Sequence, residues 1–351
     1  MYFLAKMVLT QQVVSSFDDQ YKNFYSLHQA FCGGLVFLCS ILLENCSMNK
    51  LFSENVQYLA AAVAGAFFLA VIVLAVRQPG FSQPAAKQEV LEVKNDEPGV
   101  AVLLFHAVDK DSDNPNALNL KDLEATFQAL KDSHYKPISL EEFHAFIDGR
   151  SGVPKKAVLI TFDDGYRDIY ETVLPLTKKF RFPAVVFTID KWFDPYPRTE
   201  NSRRHLNVEE AGELLKYGWS IGGHSYDGHR LVPAGHNAQG PFYVTRMWLE
   251  NERRFETDAE YKARVWSDIS LDRVALKRAG VSEPVDFAFP YGAFNTDVVN
   301  MLNEAGYTYL YMDKPGLNRR GQDPSYICRI TAGRSSHETM ALLGWHFSQN
   351  R

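Results

Sequence analysis

Two adjacent aspartates, Asp163 and Asp164, follow the apolar run AVLITF and precede Gly165. Successive side chains of a strand point to opposite faces, so both carboxylates can serve one site only if the chain leaves the strand there. Gly165 permits such a turn, because glycine adopts backbone conformations that are strained for other residues. We therefore expect one carboxylate to ligate a metal ion, which offsets the repulsion of the pair, while its neighbour stays free as a base.

Two histidines, His224 and His229, lie five residues apart in the segment HSYDGH. On a helix this spacing would separate them by about 140° around the axis, so a loop is needed to bring both imidazoles to one point. Asp227 and Gly228 supply a turn between them. Two histidines and one carboxylate leave coordination positions open for water and substrate, which is the arrangement of catalytic metal sites.

Short apolar runs that alternate with helical patterns must position these residues, and the alternation predicts a parallel α/β fold. The predicted strands are 100–105, 157–162, 184–189, 219–223, 285–289 and 308–312. The predicted helices, several with an Asn or Ser cap, are 120–133, 139–149, 207–218 and 295–306. Active sites of α/β barrels lie at the carboxyl ends of their strands. Polar or turn-forming residues follow four predicted strands: His106, the aspartate pair, the two histidines, and Pro290 with Tyr291.

The segments TFDDGY, HSYDGH and FPYG together resemble the motifs of the polysaccharide deacetylase family (NodB homology, carbohydrate esterase family 4). Their order, their spacing and their positions after predicted strands agree with that family, and the resemblance covers most of residues 100–333. It implies a distorted (β/α) barrel and the hydrolytic, metal-dependent removal of an acetyl group from an amino sugar. The implied cofactor is a divalent metal, zinc in preference to iron, cobalt or nickel.

The resemblance also implies a role for each motif residue by position. Asp163 is expected to act as general base, and His106 as the acid that protonates the departing amine. The backbone N–H of Tyr291 is expected to donate to the carbonyl oxygen as negative charge develops there. Tyr166, beside the aspartates, and Pro290 are expected to line the substrate cleft. The implied metal ligands are Asp164, His224 and His229.

Two further segments, LLFHAVD and the insertion at 241–268, resemble the poly-β-1,6-N-acetyl-D-glucosamine N-deacetylases of biofilm systems. This narrower resemblance implies an exported N-acetylglucosamine polymer as substrate, and the polysaccharide synthase or export machinery as partners. Two alternatives stay open: a deacetylase of peptidoglycan or chitin-like β-1,4 chains, and a non-catalytic carbohydrate-binding protein. The intact aspartates and histidines argue against the second, because a binding module has no use for a free base beside a metal carboxylate.

Two features depart from the wider family. Its third motif usually carries an arginine that orients the base, whereas Ala288 stands at the matching position here, so what holds Asp163 is open. The wider family also takes its acid from a histidine near the end of the chain, where His337 and His346 are available. Their segment, 336–347, has the spacing of an amphipathic helix, which favours packing or surface roles for both.

Several other aromatic residues could bind sugars or belong to the core. Aromatic rings can stack on the apolar faces of sugars, although most of them belong to protein cores. The mixed charges of 246–264 indicate a solvated helix face. The aromatic residues in question, besides Tyr166, are Trp192, Trp219, Trp248 and Tyr243.

The uncharged run 58–76 is long enough to cross the hydrocarbon core of a bilayer. It predicts a single-pass signal anchor within 48–77, a linker over 78–99, and a deacetylase domain over 100–351. Because the polymer is exported, we expect that domain to lie outside the cytoplasm.

The first 47 residues have two interpretations. Met48 opens a short basic stretch followed by an apolar core, as bacterial signal anchors do, so residues 1–47 are interpreted as sequence upstream of a misplaced start. The alternative is a native two-helix hairpin that uses the apolar run 30–43.

The charge and cysteine content of the chain exclude some kinds of partner and site. The 37 Lys and Arg residues against 42 Asp and Glu give a net charge of −5, so the chain lacks the basic field that holds a nucleic-acid backbone. Three of the four cysteines precede residue 47, which leaves only Cys328 in the predicted domain. A disulfide framework and a cysteine zinc site are both excluded there.

Overall fold

The computed structural model describes residues 99–110, 117–193 and 204–349. The predicted span 58–76, with its upstream extension and linker, lies outside these residues. Within them, no helix combines the length and apolar character that crossing a bilayer requires.

The strands include every one predicted from the apolar runs, with ends within three residues of the prediction. Strands β1 and β5 are buried at each position, as expected for parallel strands covered on both faces. In chain order the strands are β1 (Val100–Phe105), β2 (Val108–Asp109), β3 (Leu118–Asn119), β4 (Lys136–Pro137), β5 (Ala157–Phe162), β6 (Val185–Ile189), β7 (Ser220–Ser225), β8 (Leu231–Pro233), β9 (Gln239–Pro241), β10 (Trp248–Leu249), β11 (Arg254–Phe255), β12 (Asp286–Ala288), β13 (Tyr309–Tyr311), β14 (Leu317–Asn318) and β15 (Ile330–Thr331).

The four predicted helices and the helix expected near the chain end are confirmed. Asn119, Ser139, Asn207 and Asn295 each cap a helix by accepting a hydrogen bond from a first-turn backbone N–H. The α-helices are α1 (Leu120–Asp132), α2 (Leu140–Ile147), α3 (Leu174–Phe180), α4 (Val208–Lys216), α5 (Asp258–Arg278), α6 (Thr296–Ala305) and α7 (Ser336–Ser348).

One curled, mostly parallel sheet organises the domain as a half-barrel, in agreement with the predicted α/β barrel class. Its strand order is β13-β12-β7-β6-β5-β1-β14, with β4 beside β5 and β15 beside β1. Only β14, among the strands of this sheet, pairs antiparallel. The carboxyl ends of β1, β5, β7 and β12 therefore meet along one rim.

The interpretation of 246–264 as one solvated helix face is wrong for its first half. Residues 248–255 form the β10–β11 hairpin, and α5 begins only at Asp258. Thr257 and Glu260 form a capping box there, which fixes the helix start more strongly than the charge pattern does. Of the aromatic residues considered for sugar stacking, Trp219 and Tyr243 are buried in the core.

Candidate active site

Asp164, His224 and His229 bring their ligand atoms together at the rim. The three candidate ligand atoms lie within 4.8 Å of one another. Asp164 Oδ1 is 3.6 Å from His224 Nε2 and 3.4 Å from His229 Nε2. Atoms held about 2.1 Å from one tetrahedral ion lie roughly 3.4 Å apart, so this spacing suits shared ligation.

The environment of Asp164 also fits a cation. Its Oδ1 atom is buried and accepts no hydrogen bond from the described residues. A buried carboxylate oxygen without a partner is costly, and a metal ion would satisfy it. Two imidazole nitrogens and one carboxylate oxygen are the donor set of a catalytic divalent metal. The residues present therefore fit the metal that the motifs imply.

The backbone fixes the orientation of His224. Its Nδ1 atom lies 2.8 Å from the carbonyl oxygen of Ala288. Because a carbonyl only accepts hydrogen bonds, Nδ1 carries the proton and Nε2 keeps a free lone pair for a metal. Ala288 thus contributes to the site through its backbone, although it lacks the arginine side chain usual at its position.

Left-handed backbone conformations shape the two turns at the rim. Asp164 and Gly165 have φ values of 68° and 66°, so the chain leaves β5 at the predicted point. A Cβ atom on Gly165 would lie only 2.8 Å from Thr188 Cγ2, so only glycine fits there. Tyr291 has φ 59° and ψ 16°. Such strained non-glycine residues cluster at functional sites, where the surrounding structure holds them in place.

Arg329 holds Asp163, and sequence reasoning missed it. Its guanidinium donates from Nη1 to Asp163 Oδ1 at 2.7 Å and from Nη2 to Asp163 Oδ2 at 2.8 Å. The same group donates to Met312 O and Asp313 Oδ1, and the side chain is 0% exposed. The arginine that holds Asp163, the expected base, therefore comes from the residue before β15 and not from the third motif.

The charges around Asp163 keep it ionised. Burial is the largest single influence and raises the pKa of this carboxyl, but the Arg329 guanidinium, His224 and His106 together outweigh burial. The resulting pKa lies below its ordinary value. Burial, together with the neighbouring His224, lowers the pKa of His229, which favours the neutral imidazole that a metal requires. The surroundings thus favour an ionised Asp163 and a neutral His229.

Asp268 fixes the loop between the two histidines. From α5, its Oδ1 accepts hydrogen bonds from Tyr226 N at 3.0 Å and Tyr243 Oη at 2.6 Å. Its Oδ2 accepts one from Asp227 N at 2.8 Å. The turn predicted at Asp227 and Gly228 is therefore fixed by a carboxylate of the insertion.

We expect Asp268→Asn to weaken metal binding by roughly 10- to 100-fold, because residues that orient metal ligands have effects of that size. An amide oxygen can replace only one of the two acceptor atoms. Titration of metal-free protein with Zn²⁺ measures the dissociation constant directly. Asp258→Asn, at the exposed start of the same helix, serves as control and should bind Zn²⁺ like the parent protein. Equal affinities for the two variants would contradict the role of Asp268.

The remaining predicted residues occupy different surroundings. His106 is exposed and lines a cavity of about 200 Å³ between β1, β3 and the residues after β15. Tyr166 packs its ring 4.9 Å from that of His205. Pro290 is buried at the start of the turn that carries Tyr291, whose ring lies 4.5 Å from that of His229. Their roles stay predictions.

The two histidines near the chain end lie on α7, which packs against α1. His337 is exposed. His346 is buried, and burial lowers its pKa. These surroundings agree with the packing and surface roles expected from the helical spacing.

Comparison with known families defines the class of this domain. Residues 150–310 match the family model described as polysaccharide deacetylase. The matched range includes both aspartates, both histidines and the turn at Tyr291. The chain thus contains a polysaccharide deacetylase domain.

Similar proteins and solved structures carry names consistent with this class. A poly-β-1,6-N-acetyl-D-glucosamine N-deacetylase of Escherichia coli is 26% identical over 245 residues, which cover 64% of this chain and 35% of that protein. One of the same name from Staphylococcus aureus is 25% identical over 218 residues, covering 61% of this chain and 67% of that protein. The deacetylase domain of BpsB from Bordetella bronchiseptica superposes with a TM-score of 0.59 at 27% identity, covering 67% of this chain and 96% of that one. The chain therefore spans about a third of the E. coli relative.

Proposed function

We propose that this protein is a metal-dependent N-deacetylase of an exported N-acetylglucosamine polymer, with poly-β-1,6-N-acetyl-D-glucosamine as its substrate. The proposal rests on one observation: two adjacent carboxylates have different surroundings. Asp163 is paired with a buried arginine, while Asp164 Oδ1 is left for the two histidines. The names of the relatives support the choice of polymer.

Each residue has a defined task in this mechanism. A divalent ion held by Asp164, His224 and His229 would polarise the acetyl carbonyl and lower the pKa of the attacking water. Asp163 accepts a proton from that water, and Arg329 keeps its carboxylate oriented and ionised. The Tyr291 N–H donates to the carbonyl oxygen as it becomes negative. His106 donates a proton to the sugar nitrogen as the amide bond breaks.

Acetate release from matched oligomers tests the proposal. We expect β-1,6-linked N-acetylglucosamine oligomers to be deacetylated with a higher kcat/KM than β-1,4-linked ones of equal length. The reverse order would assign the protein to peptidoglycan or chitin-like chains. Absence of acetate release from both series and from an activated aryl acetate, with metal bound, would instead favour a non-catalytic carbohydrate-binding protein.

His106→Ala is expected to affect amides more than esters, by roughly 100-fold. An amine leaving group must be protonated as the intermediate collapses, whereas a phenolate leaves without help. The measurement compares kcat/KM for an N-acetylglucosamine oligomer with that for an aryl acetate, at unchanged metal content. His337→Ala, on the exposed face of α7, is the control. Equal losses on both substrates for His106→Ala would leave His106 a positioning role.

The proposal includes a location. The predicted anchor at 58–76 would hold the domain at the outer face of the cytoplasmic membrane, where it meets the polymer as the synthase or export machinery releases it. The sequence pattern alone supports this part, and it stays a prediction.

A further inference from the structure

A cavity of about 350 Å³ lies between the turn of the β8–β9 hairpin and the β10–β11 hairpin. Strand β8 begins two residues after His229, so the chain that leaves the candidate metal site goes on to build one wall of this cavity. Its volume is at the lower end of the range for ligand pockets, about 300 to 1,000 Å³. None of the residues given a catalytic or metal-binding role lines it.

Two aromatic rings form a corner of the cavity. Trp248 and Phe255 are cross-strand partners, with ring centroids 5.1 Å apart and planes at 72°. Trp248 Nε1 donates to Glu250 Oε2 at 2.7 Å, which fixes the orientation of the indole. Phe255 is 45% exposed although it is a large apolar side chain. The hairpin therefore keeps a fixed aromatic surface open to solvent.

Polar side chains complete the lining. His236 and Asn237 stand at the turn of the β8–β9 hairpin, both exposed and both in the left-handed conformation, with φ of 49° and 62°. Glu250 adds a carboxylate. Gly235, with φ of 80°, lies against the Phe255 ring, so closely that a Cβ atom would be 3.0 Å from Phe255 Cζ. Hydrogen-bonding groups thus face an aromatic corner across a small space.

This combination matches the chemistry of a sugar ring. A pyranose has apolar C–H faces that stack on aromatic rings, and a rim of hydroxyl groups that donate to carboxylates and amides. The carboxylate of Glu250 disfavours phosphate or carboxylate ligands, because like charges repel. We propose that the cavity is a saccharide subsite, which binds a sugar unit of the polymer while another unit is deacetylated at the rim. The identification of this sugar as a unit of the polymer rests on the proposed function.

Substrates of different length distinguish the effect of this subsite from that of the catalytic centre. Trp248→Ala should raise KM for the long polymer about three- to tenfold, since an aromatic stacking contact contributes about 0.5 to 1.5 kcal/mol. Turnover of a small aryl acetate, which cannot reach both places, should be unchanged. Trp248→Phe keeps an aromatic face and should recover part of the loss. Trp266→Ala, at a 40% exposed position on α5 outside the cavity, is the matched control.

Calorimetric titration with β-1,6 N-acetylglucosamine oligomers gives a second readout, made in Asp163→Asn protein so that the ligand is not consumed. Adding Trp248→Ala should weaken oligomer binding by the same factor, while adding Trp266→Ala should not. Thermal unfolding of each variant checks that the fold is retained.

The outcomes distinguish the subsite from the proposed function. Equal KM values and equal oligomer affinities for the Trp248→Ala and Trp266→Ala proteins would overturn the subsite, even if wild-type protein deacetylates the polymer. Failure of wild-type protein to release acetate from any saccharide would overturn the proposed function. Oligomer binding that Trp248→Ala weakens would still support the subsite in that case.

Discussion

Asp163→Asn is expected to lower kcat by about 10²- to 10⁴-fold and to leave the metal content unchanged. The amide has the shape of the carboxylate and can still accept one hydrogen bond from Arg329, but it cannot take a proton from water. The metal ligands are untouched by this change. Asp164→Ala should behave differently, because it removes one of three ligand atoms and leaves an incomplete, weakly binding site.

Metal analysis beside steady-state kinetics separates the two aspartates. Asp163→Asn protein should contain as much metal as the parent and should regain no activity when more metal is added. Asp164→Ala protein should contain little metal. Stoichiometric metal in the Asp164→Ala protein, or its loss from the Asp163→Asn protein, would exchange the two roles.

Six strands of the main sheet were predicted from the sequence, because each combines an apolar run with a clear boundary: β1, β5, β6, β7, β12 and β13. β1 and β5 are buried throughout and rich in branched residues, so their composition alone identifies them. Glycine and polar residues then mark where each strand ends. Since parallel strands end at one rim, the same pattern that gave the sheet also placed the aspartates and histidines near one another.

The supporting residues of the site could not be predicted in this way. Arg329 lies 166 residues from Asp163 in the sequence and stands next to a two-residue strand, so no local pattern links the two. Asp268 lies among the alternating charges of α5, which look solvated. It is buried because its helix packs against the loop that follows β7, and only tertiary structure shows that contact.

The β10–β11 hairpin was missed for a related reason. Its strands have only two residues each, too few for an alternating pattern to appear. The capping box at Thr257 and Glu260 was present in the sequence, and it would have separated the hairpin from α5.

Arg329→Lys is expected to lower kcat/KM about 10- to 100-fold, with the metal content unchanged. The guanidinium makes two parallel hydrogen bonds to Asp163 and two more to Met312 and Asp313. A single ammonium keeps the charge but cannot reproduce this planar fork. Lysine is preferred to alanine here, because removing one partner of a buried pair destabilises a fold by about 3 to 5 kcal/mol.

Arg264→Lys is the matched control for this substitution. Arg264 also makes a forked pair, with Glu256 at 2.7 and 2.8 Å, and it donates to the backbone oxygens of Phe242 and Thr245. Both lysine variants should lose roughly 1.5 to 3 kcal/mol of unfolding free energy, since hydrogen bonds to charged groups contribute about that much. Only Arg329→Lys should lose activity on the aryl acetate.

A double-mutant cycle shows whether Arg329 acts through Asp163. If its task is to orient and charge-pair this base, Arg329→Lys should cost little further activity once Asp163 is already asparagine, because residues that act as a unit have non-additive effects. We therefore expect the Asp163→Asn/Arg329→Lys protein to have the same kcat/KM as Asp163→Asn alone, within about threefold. Full additivity, with each change multiplying the loss, would mean that Arg329 serves the reaction independently of Asp163, and the assignment of Asp163 as the arginine-held base would fail.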